Sequence, residues 1–319
     1  MAEVVRVLDV IDETPDARSF VLDLPASWSY NPGQFLTFRA GDVARSYSLS
    51  SSPHSGELPK ITVKRIPTGV GSNWMCDNLS AGSTLEAQAP GGVFTPADWS
   101  RDLLLLAAGS GITPCMSILK SALLLGTPKI VLGYANRDEQ SVIFKAELDA
   151  LVAQHPDRLT VVHWIDTVDG LPTAQRLRDF ASRHPGYEVF VCGPDAFMDC
   201  AAGCAEEVHV ERFISMTDNP FEPKPESERM ARVTVELYNN TYVLDWPVRT
   251  KLLDLLLENN INAPFSCREA TCATCACRLR SGEVKMIKNE ILEEEDFAEN
   301  YILSCQSLPL SDEVHVSFD

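Results

Sequence analysis

Four cysteines near the C-terminus constrain this chain more than any other feature. Cys267, Cys272 and Cys275 follow a C-x₄-C-x₂-C spacing, and Cys305 stands alone thirty residues further on. A fold that uses them together must offer three thiolates from one loop and bring a distant segment back to it. Zinc sites usually pair two short C-x₂₋₄-C units. A lone fourth cysteine is instead the plant-type spacing for a [2Fe–2S] cluster. Cys267, Cys272, Cys275 and Cys305 are therefore the expected metal ligands, and the chain is expected to move electrons singly. Ala270, Ala273 and Ala276 keep the loop small, so backbone N–H groups can approach the sulfurs.

The remainder must supply those electrons. At 319 residues, two or three domains are expected. A net charge of −18 argues against nucleic acid or an anionic membrane as partner, and fits a partner with a basic patch. Met1–Arg6 shows no basic or apolar signal region, and Leu103–Ala108 is too short to span a bilayer, so a cytoplasmic location is expected. In a reducing compartment the ten cysteines are expected to stay unpaired. Cys76, Cys115, Cys200 and Cys204 lie in helix-like apolar stretches, and Cys277 reads as a buried neighbour of Cys275, not a ligand. None of the six histidines has metal-ligand spacing.

Residues 1–99 read as short strands with turn punctuation: Val4–Val10, Ser19–Leu24, Gln34–Arg39, Arg45–Leu49 and Lys60–Arg65, with a helix from Ser72 to Asn78. That pattern predicts a small antiparallel barrel. From 100 to 217 apolar strands alternate with helices. Strands are expected at Leu103–Ala107, Lys129–Tyr134, Leu159–Trp164 and Glu188–Cys192. Helices are expected through Leu125 and over Val142–Gln154, Ala174–Arg183 and Asp195–Glu207. This predicts a parallel sheet covered on both faces. Pro220, Pro223 and Pro225 mark 218–230 as a linker. Residues 231–319 then open with a hairpin around Asn239-Asn240 and a helix over Arg249–Glu258, before the cysteine loop.

Within this frame, Arg45-Ser46-Tyr47-Ser48-Leu49 offers a phosphate partner, a flat ring and a hydroxyl on one strand. Downstream, Gly69-Val70-Gly71-Ser72-Asn73-Trp74 reads as flexible glycines before a Ser-capped helix, an anion-binding helix start. Two phosphate-grade features suit a dinucleotide flavin. Gly109-Ser110-Gly111-Ile112-Thr113-Pro114 follows an apolar strand and precedes a helix, the setting for close approach to a pyrophosphate. Cys192-Gly193-Pro194 ends a later strand of the same sheet, where such sheets bind ligands. The run Glu290, Glu293, Glu294, Glu295, Asp296 and Glu299 reads as a solvated helix face, with a docking surface as the alternative.

Together these motifs resemble the ferredoxin–NADP⁺ reductase superfamily fused to a C-terminal plant-type ferredoxin, over essentially the whole chain. Tyr134–Glu139, Val161–Trp164 and Ile302–Ser307 are most similar to reductases of 3-ketosteroid 9α-hydroxylase. Reductases of phenylacetyl-CoA epoxidase and of hybrid cluster protein are similar too. The resemblance implies a multidomain fold: an antiparallel β-barrel flavin domain, an α/β nicotinamide domain and an α+β ferredoxin-like (β-grasp) domain. It implies that Arg45, Ser46, Tyr47 and Ser48, with Val63 and Lys64, hold FAD, and that Gly71, Ser72 and Asn73 meet its pyrophosphate. Gly109, Gly111, Thr113 and Pro114 would shape the nicotinamide-nucleotide site. Cys192, Gly193 and Pro194 would lie near the nicotinamide, with Ser48 and Cys192 at the reacting edge. Asn136, Arg137 and Asp138 would read the adenosine ribose. Asp138 suits a 2′-OH and hence NADH, while Arg137 argues the other way. Ala108, Ala270 and Ala273 depart from the family, which often has Gly there.

The function implied is electron transfer from NADH to FAD to the [2Fe–2S] cluster, then to a partner protein. A Rieske-type terminal oxygenase hydroxylating a hydrophobic, steroid-like substrate is the expected partner, and the reductase is expected to be a monomer. One alternative is the same reductase feeding a di-iron epoxidase or hybrid cluster protein. Another is a flavin and iron–sulfur redox sensor without turnover.

Overall fold

The N-terminal strands close into an antiparallel barrel. The computed structural model describes residues 2–126, 129–222 and 229–319. Strands Glu3–Thr14, Ala17–Asp23, Phe35–Ala40, Val43–Ser48, Lys60–Lys64 and Thr84–Ala87 form one six-stranded sheet. Its ends meet where Leu49 bridges Ile61 and the Ser50 N–H donates to the Lys60 carbonyl at 2.7 Å. Closure removes the sticky open edges of a sheet. Val5, Val7, Phe20, Leu22, Leu36 and Phe38 fill the interior. The helix spans Val70–Asn78, so it starts before Ser72, and Gly69 is its N-cap. Thr84–Ala87 was not expected, because four residues are too short for a period to show.

Strand–helix alternation builds a five-stranded parallel sheet. Its order is His209–Glu211, Glu188–Cys192, Leu103–Ala108, Ile130–Asn136 and Leu159–Ile165. The three inner strands are buried throughout, as helices on both faces require. Strand order reverses beside Leu103–Ala108, which opens a crevice at its C-terminal end and that of Glu188–Cys192. The helix expected from Val142 begins at Lys145, because Val142, Ile143 and Phe144 turn into the core and Phe144 is left-handed at φ 62°. The helix expected to reach Glu207 ends at Ala201, and Gly203 at φ 71° carries the chain away.

Barrel and parallel sheet form one compact unit, Ala2–Phe213, joined by a polar seam. The Ser117 hydroxyl donates to the Ser51 carbonyl at 2.6 Å, and the Ser52 and Ser121 hydroxyls bond at 2.7 Å. Lys120, with a side chain only 8% exposed, pairs with Glu57 at 2.6 Å and Glu147 at 3.1 Å. Lys60 also reaches Glu147 at 3.5 Å and lies over the Phe144 ring.

The second unit, Ile214–Asp319, is the α+β fold expected of a ferredoxin domain. Its sheet runs Asn240–Pro247, Met230–Leu237, Glu313–Ser317, Ala276–Ser281, Tyr301–Leu303. Met230–Leu237 and Glu313–Ser317 are parallel, and the other pairings are antiparallel. The helix begins at Leu252, later than expected, and buries Leu252, Leu253, Leu255 and Leu256. The hairpin turn lies one residue earlier than expected, at Tyr238-Asn239. Leu237 pairs with Asn240, and both turn residues adopt the positive φ that a two-residue turn demands. Residues 214–217, expected in the nicotinamide domain, fall in this unit, because Thr217 is hydrogen-bonded to Glu269. Of the linker expected over 218–230, Asp218 is paired with Lys251, while Pro223 and Pro225 lie outside the described residues. No helix among the described residues is long and apolar enough to cross a membrane.

Candidate functional site

The barrel gathers the residues expected to hold a flavin. Arg45 and Tyr47, two apart on Val43–Ser48, share a face. Gly71 is pressed onto it: a Cβ there would lie 2.5 Å from Arg45 Cγ and 3.4 Å from the Tyr47 hydroxyl. One missing side chain thus lets a guanidinium, an aromatic ring and the first turn of a helix meet. Burial pushes the Tyr47 hydroxyl well above its ordinary range, so the ring stays neutral. Ser46 and Ser48 alternate to the other face, where the Ser46 and Thr37 hydroxyls bond at 3.0 Å. Ser72 is not the cap expected. Its hydroxyl accepts the Ile66 N–H at 3.1 Å, and Asn73 Nδ2 donates to the Ile66 carbonyl at 3.1 Å. These bonds fasten the preceding loop, so the first-turn backbone N–H groups are the donors this helix start offers to an anion. Val63 is buried in the barrel core.

The crevice of the parallel sheet is closed by contacts only glycine permits. A Cβ on Gly111 would overlap the Cys192 carbonyl and lie 2.6 Å from the Gly193 nitrogen. The two turns singled out in the sequence therefore touch, at the point where strand order reverses. Gly109, left-handed at φ 53°, passes its carbonyl to the Tyr134 hydroxyl, which donates at 3.0 Å. The Thr113 hydroxyl donates to the Ser110 carbonyl at 3.0 Å, and Pro114 occupies the first helical turn, where its missing N–H does no harm. Pro194 is the N-cap residue of Asp195–Ala201. Lys64, at the end of its barrel strand, reaches within 3.7 Å of the space a Gly109 side chain would fill. Flavin-domain and nicotinamide-domain residues thus come together here. The departure at Ala108 is explained as well. Its Cβ would be 3.0 Å from one on residue 193, so the methyl fits because 193 is Gly. Cys192 is fully buried, and burial, then Cys115 and Glu211, push its thiol up, so it packs uncharged beneath the Gly111 turn.

At the next strand end, Arg137 Nε donates to Asp138 Oδ2 at 2.8 Å and Arg137 Nη2 to the Ser141 hydroxyl at 2.9 Å. Ser141 gives its N–H and O–H to Asp138 Oδ1 at 2.9 and 2.7 Å. Arg137 first, then Ser141, hold the Asp138 carboxyl down at about 2. The two residues that argued in opposite directions are thus bonded to each other. Asn136, buried beside the Tyr134 hydroxyl, keeps an amide with no hydrogen bond of normal geometry. An orphaned amide beside a glycine cradle fits a polar nucleotide ligand. Three features escaped the sequence reading. They are the Tyr134 hydroxyl, the Ser117–Lys120 seam, and buried Glu211, paired with Cys192 across adjacent strands. Glu211 closes a three-residue strand, too short for a period to show in the sequence.

In the second unit, Arg268, Ala270 and Ala273 adopt left-handed φ of 60°, 64° and 53°, which curls the cysteine loop inward. Glu269 and Thr271 N–H groups donate to Cys267 Sγ at 3.3 and 3.4 Å, and the Cys267 N–H to Cys272 Sγ at 3.5 Å. The alanines thus reach the conformation the family often gives to glycine. The Cys267 sulfur lies beside that of Cys272, and the Cys275 sulfur beside that of Cys305. The Cys272 thiol, outweighing burial, and the neighbouring Thr271 and Glu269 donors bring Cys267 down to about 5. The Thr271 hydroxyl is buried with no oxygen or nitrogen partner, beside the Cys267 sulfur. N–H groups aimed at the Cys267 and Cys272 sulfurs, with the Cys305 segment tied back to the Cys275 carbonyl, fit the thiolate ligands of an iron–sulfur cluster. Cys277 is buried in the adjoining strand, and Ser304 Oγ ties the Cys305 segment to the Cys275 carbonyl at 3.0 Å. Of the acidic run, only Glu294–Ala298 is helical.

Three family models match along the chain. They are an oxidoreductase FAD-binding domain over 5–95, an oxidoreductase NAD-binding domain over 105–203 and a 2Fe-2S iron-sulfur cluster binding domain over 236–310. The fold and these matches define a three-domain oxidoreductase using FAD, NADH and a [2Fe–2S] cluster. The solved structure of phthalate dioxygenase reductase shares this fold at a TM-score of 0.60 and 24% identity, over 99% of this chain and 98% of that one. The ferredoxin reductase component of 3-ketosteroid-9-alpha-monooxygenase from Mycolicibacterium smegmatis is 48% identical, over 98% of this chain and 96% of the relative. That from Rhodococcus rhodochrous is 45% identical over 99% and 96%. The chain belongs to this family of monooxygenase reductase components.

Proposed function

We propose that this chain draws electrons from NADH and delivers them to the Rieske-type terminal oxygenase of a 3-ketosteroid 9α-hydroxylase. The observation that carries the reading is the meeting of Lys64, at the end of a flavin-domain strand, with the Gly109–Gly111 turn that is itself closed on Cys192. That meeting supports a nicotinamide site adjoining a flavin site. The near-full-length relatives supply the oxygenase and its steroid substrate. When bound, FAD accepts hydride as an electron pair and the cluster passes electrons on singly.

The protein's residues bind, orient and shield. Arg45 and the first-turn N–H groups around Gly71, Ser72 and Asn73 neutralise the FAD phosphates. Tyr47 covers the ring and Lys64 borders it, while Ser48 and Val63, with side chains turned into the barrel, meet it through their backbone. Gly109, Gly111, Thr113 and Pro114 admit the NADH pyrophosphate, and Cys192, Gly193 and Pro194 border the nicotinamide pocket, with the Cys192 thiol packed uncharged beneath the Gly111 turn. Asn136 and the Arg137–Asp138 pair read the adenosine ribose. With its guanidinium already engaged by Asp138 and Ser141, Arg137 favours a ribose 2′-OH over a 2′-phosphate. Cys267, Cys272, Cys275 and Cys305 hold the cluster, and the exposed acidic run beside Glu294–Ala298 meets a basic partner. The reductase acts in the cytoplasm as a monomer.

The test is Cys305→Ser. NADH-driven reduction of a dye that takes electrons from the flavin is expected to persist, and cytochrome c reduction to fall to background. Unchanged cytochrome c reduction would remove the cluster as the exit.

A further inference from the structure

The segment leading into the cluster unit is tied to the cysteine loop by a buried carboxylate. Glu269, two residues after Cys267 and 4% exposed, accepts the Thr217 N–H at 2.7 Å on Oε1. The Thr217 hydroxyl lies 3.1 and 2.9 Å from its two carboxylate oxygens. The same Glu269 sends its own N–H to Cys267 Sγ at 3.3 Å. One residue therefore joins segment and sulfur. Flanking ion pairs continue the tie: Asp218 with Lys251, and Arg268 of the loop with Asp254. Met216, Asp218, Asn219 and Pro220 wall one side of a cavity of about 230 Å³ that Arg268, Glu269 and Cys305 also line. A buried carboxylate without donors is costly, so Glu269 and Thr217 stay together or both rearrange.

We propose that Thr217 and Glu269 are positioning residues for the cluster: their bond holds the Glu269 N–H on the Cys267 sulfur, and the ordered cluster loop in turn holds segment 216–222 down. N–H donors to sulfur favour the reduced, more negative cluster and raise its potential. The inference rests on the assignment of the four cysteines to a [2Fe–2S] cluster.

Two measurements on the full-length protein test it. The first is the cluster potential, read by spectroelectrochemistry. Thr217→Val, which keeps the N–H but loses the hydroxyl, is expected to lower it, with a several-fold smaller reduced fraction at fixed poise. Thr217→Ser is expected to restore it. The second is chymotrypsin cleavage after Phe221 in the wild-type protein, which needs no variant. Cluster-loaded protein is expected to resist, and chelator-stripped protein to be cut at least about tenfold faster, matching an opening equilibrium shifted by about 1.4 kcal/mol. An unmoved potential in Thr217→Val with a normal iron–sulfur spectrum would overturn the tie, as would equal cleavage of loaded and stripped protein. Wild-type protein with no iron–sulfur spectrum would overturn the cysteine assignment, and the tie with it.

Discussion

The two compact units build their sites in opposite ways. In Ala2–Phe213 distant segments are brought together where glycine leaves room, at Gly71 against Arg45 and at Gly111 against Cys192. In Ile214–Asp319 one loop curls on itself, and residues with side chains, Arg268, Ala270 and Ala273, carry the left-handed backbone. A left-handed non-glycine residue costs about 1–2 kcal/mol. The first unit thus fits its cofactors by removing atoms. The second carries strain, offset by N–H···S bonds and by the group its thiols hold.

Adding an atom to the first unit gives the sharpest contrast. Gly111→Ala would force the turn off the Cys192 carbonyl, and displacement of about 1 Å at a reacting site can cost about 100-fold in rate. Anaerobic stopped-flow flavin reduction by NADH should fall by at least that factor, while the iron–sulfur spectrum stays intact. Loss of both signals together would mean that the two units do not respond independently.

The seam inside the first unit comes next. Lys120→Met removes the cation from Glu57 and leaves Glu147 with only the more distant Lys60, at 3.5 Å. Both carboxylates are about a third or less exposed, so a destabilisation of about 2 kcal/mol is expected by urea unfolding, below the value for a fully buried pair. The effect depends on pH. Glu57 is lowered from its ordinary 4.5, with burial opposing and the Lys120 bond and the Ser52 N–H outweighing it. A carboxyl lowered on folding contributes stability above its unfolded value, and that contribution is lost as pH falls through the folded value. Wild-type stability should therefore drop on acidification below about 4.5 more steeply than that of Lys120→Met. Parallel curves would remove Lys120 as the cause.

The smallest effect should come from relieving strain. Ala273→Gly is expected to stabilise the chelator-stripped second unit by about 1 kcal/mol, a gain partly offset by the greater unfolded-state freedom of glycine. Differential scanning calorimetry of the stripped protein reads it. A lower melting temperature would show that the alanine methyl packs well enough to outweigh its backbone cost.

This contrast also explains what the sequence made legible. The cysteine loop is local, so its spacing alone pointed to iron–sulfur chemistry, which the 2Fe-2S domain match over 236–310 supports. The turns at Gly109 and Cys192 were visible as motifs because each follows an apolar strand, yet their contact depends on strand order. Ser72 misled because a serine near a helix start usually caps it, whereas here its hydroxyl serves the preceding loop. Glu211, Tyr134 and Lys120 were invisible for a different reason. Each acts through a partner remote in sequence or on a neighbouring strand, such as Cys192, Gly109 or Glu57. The Ala108 departure was settled only by its facing glycine at 193.

The polar seam bears on how such reductases can be recombined. A graft made between the barrel and the parallel sheet would strand Lys120, Ser117 and Ser121 on one parent and Glu57, Ser51 and Ser52 on the other. Chimaeras crossed near residue 213 avoid that mismatch. The interchangeable cassettes of this molecule are therefore two, a nucleotide-oxidising block and an electron-delivering block, although its family signatures number three.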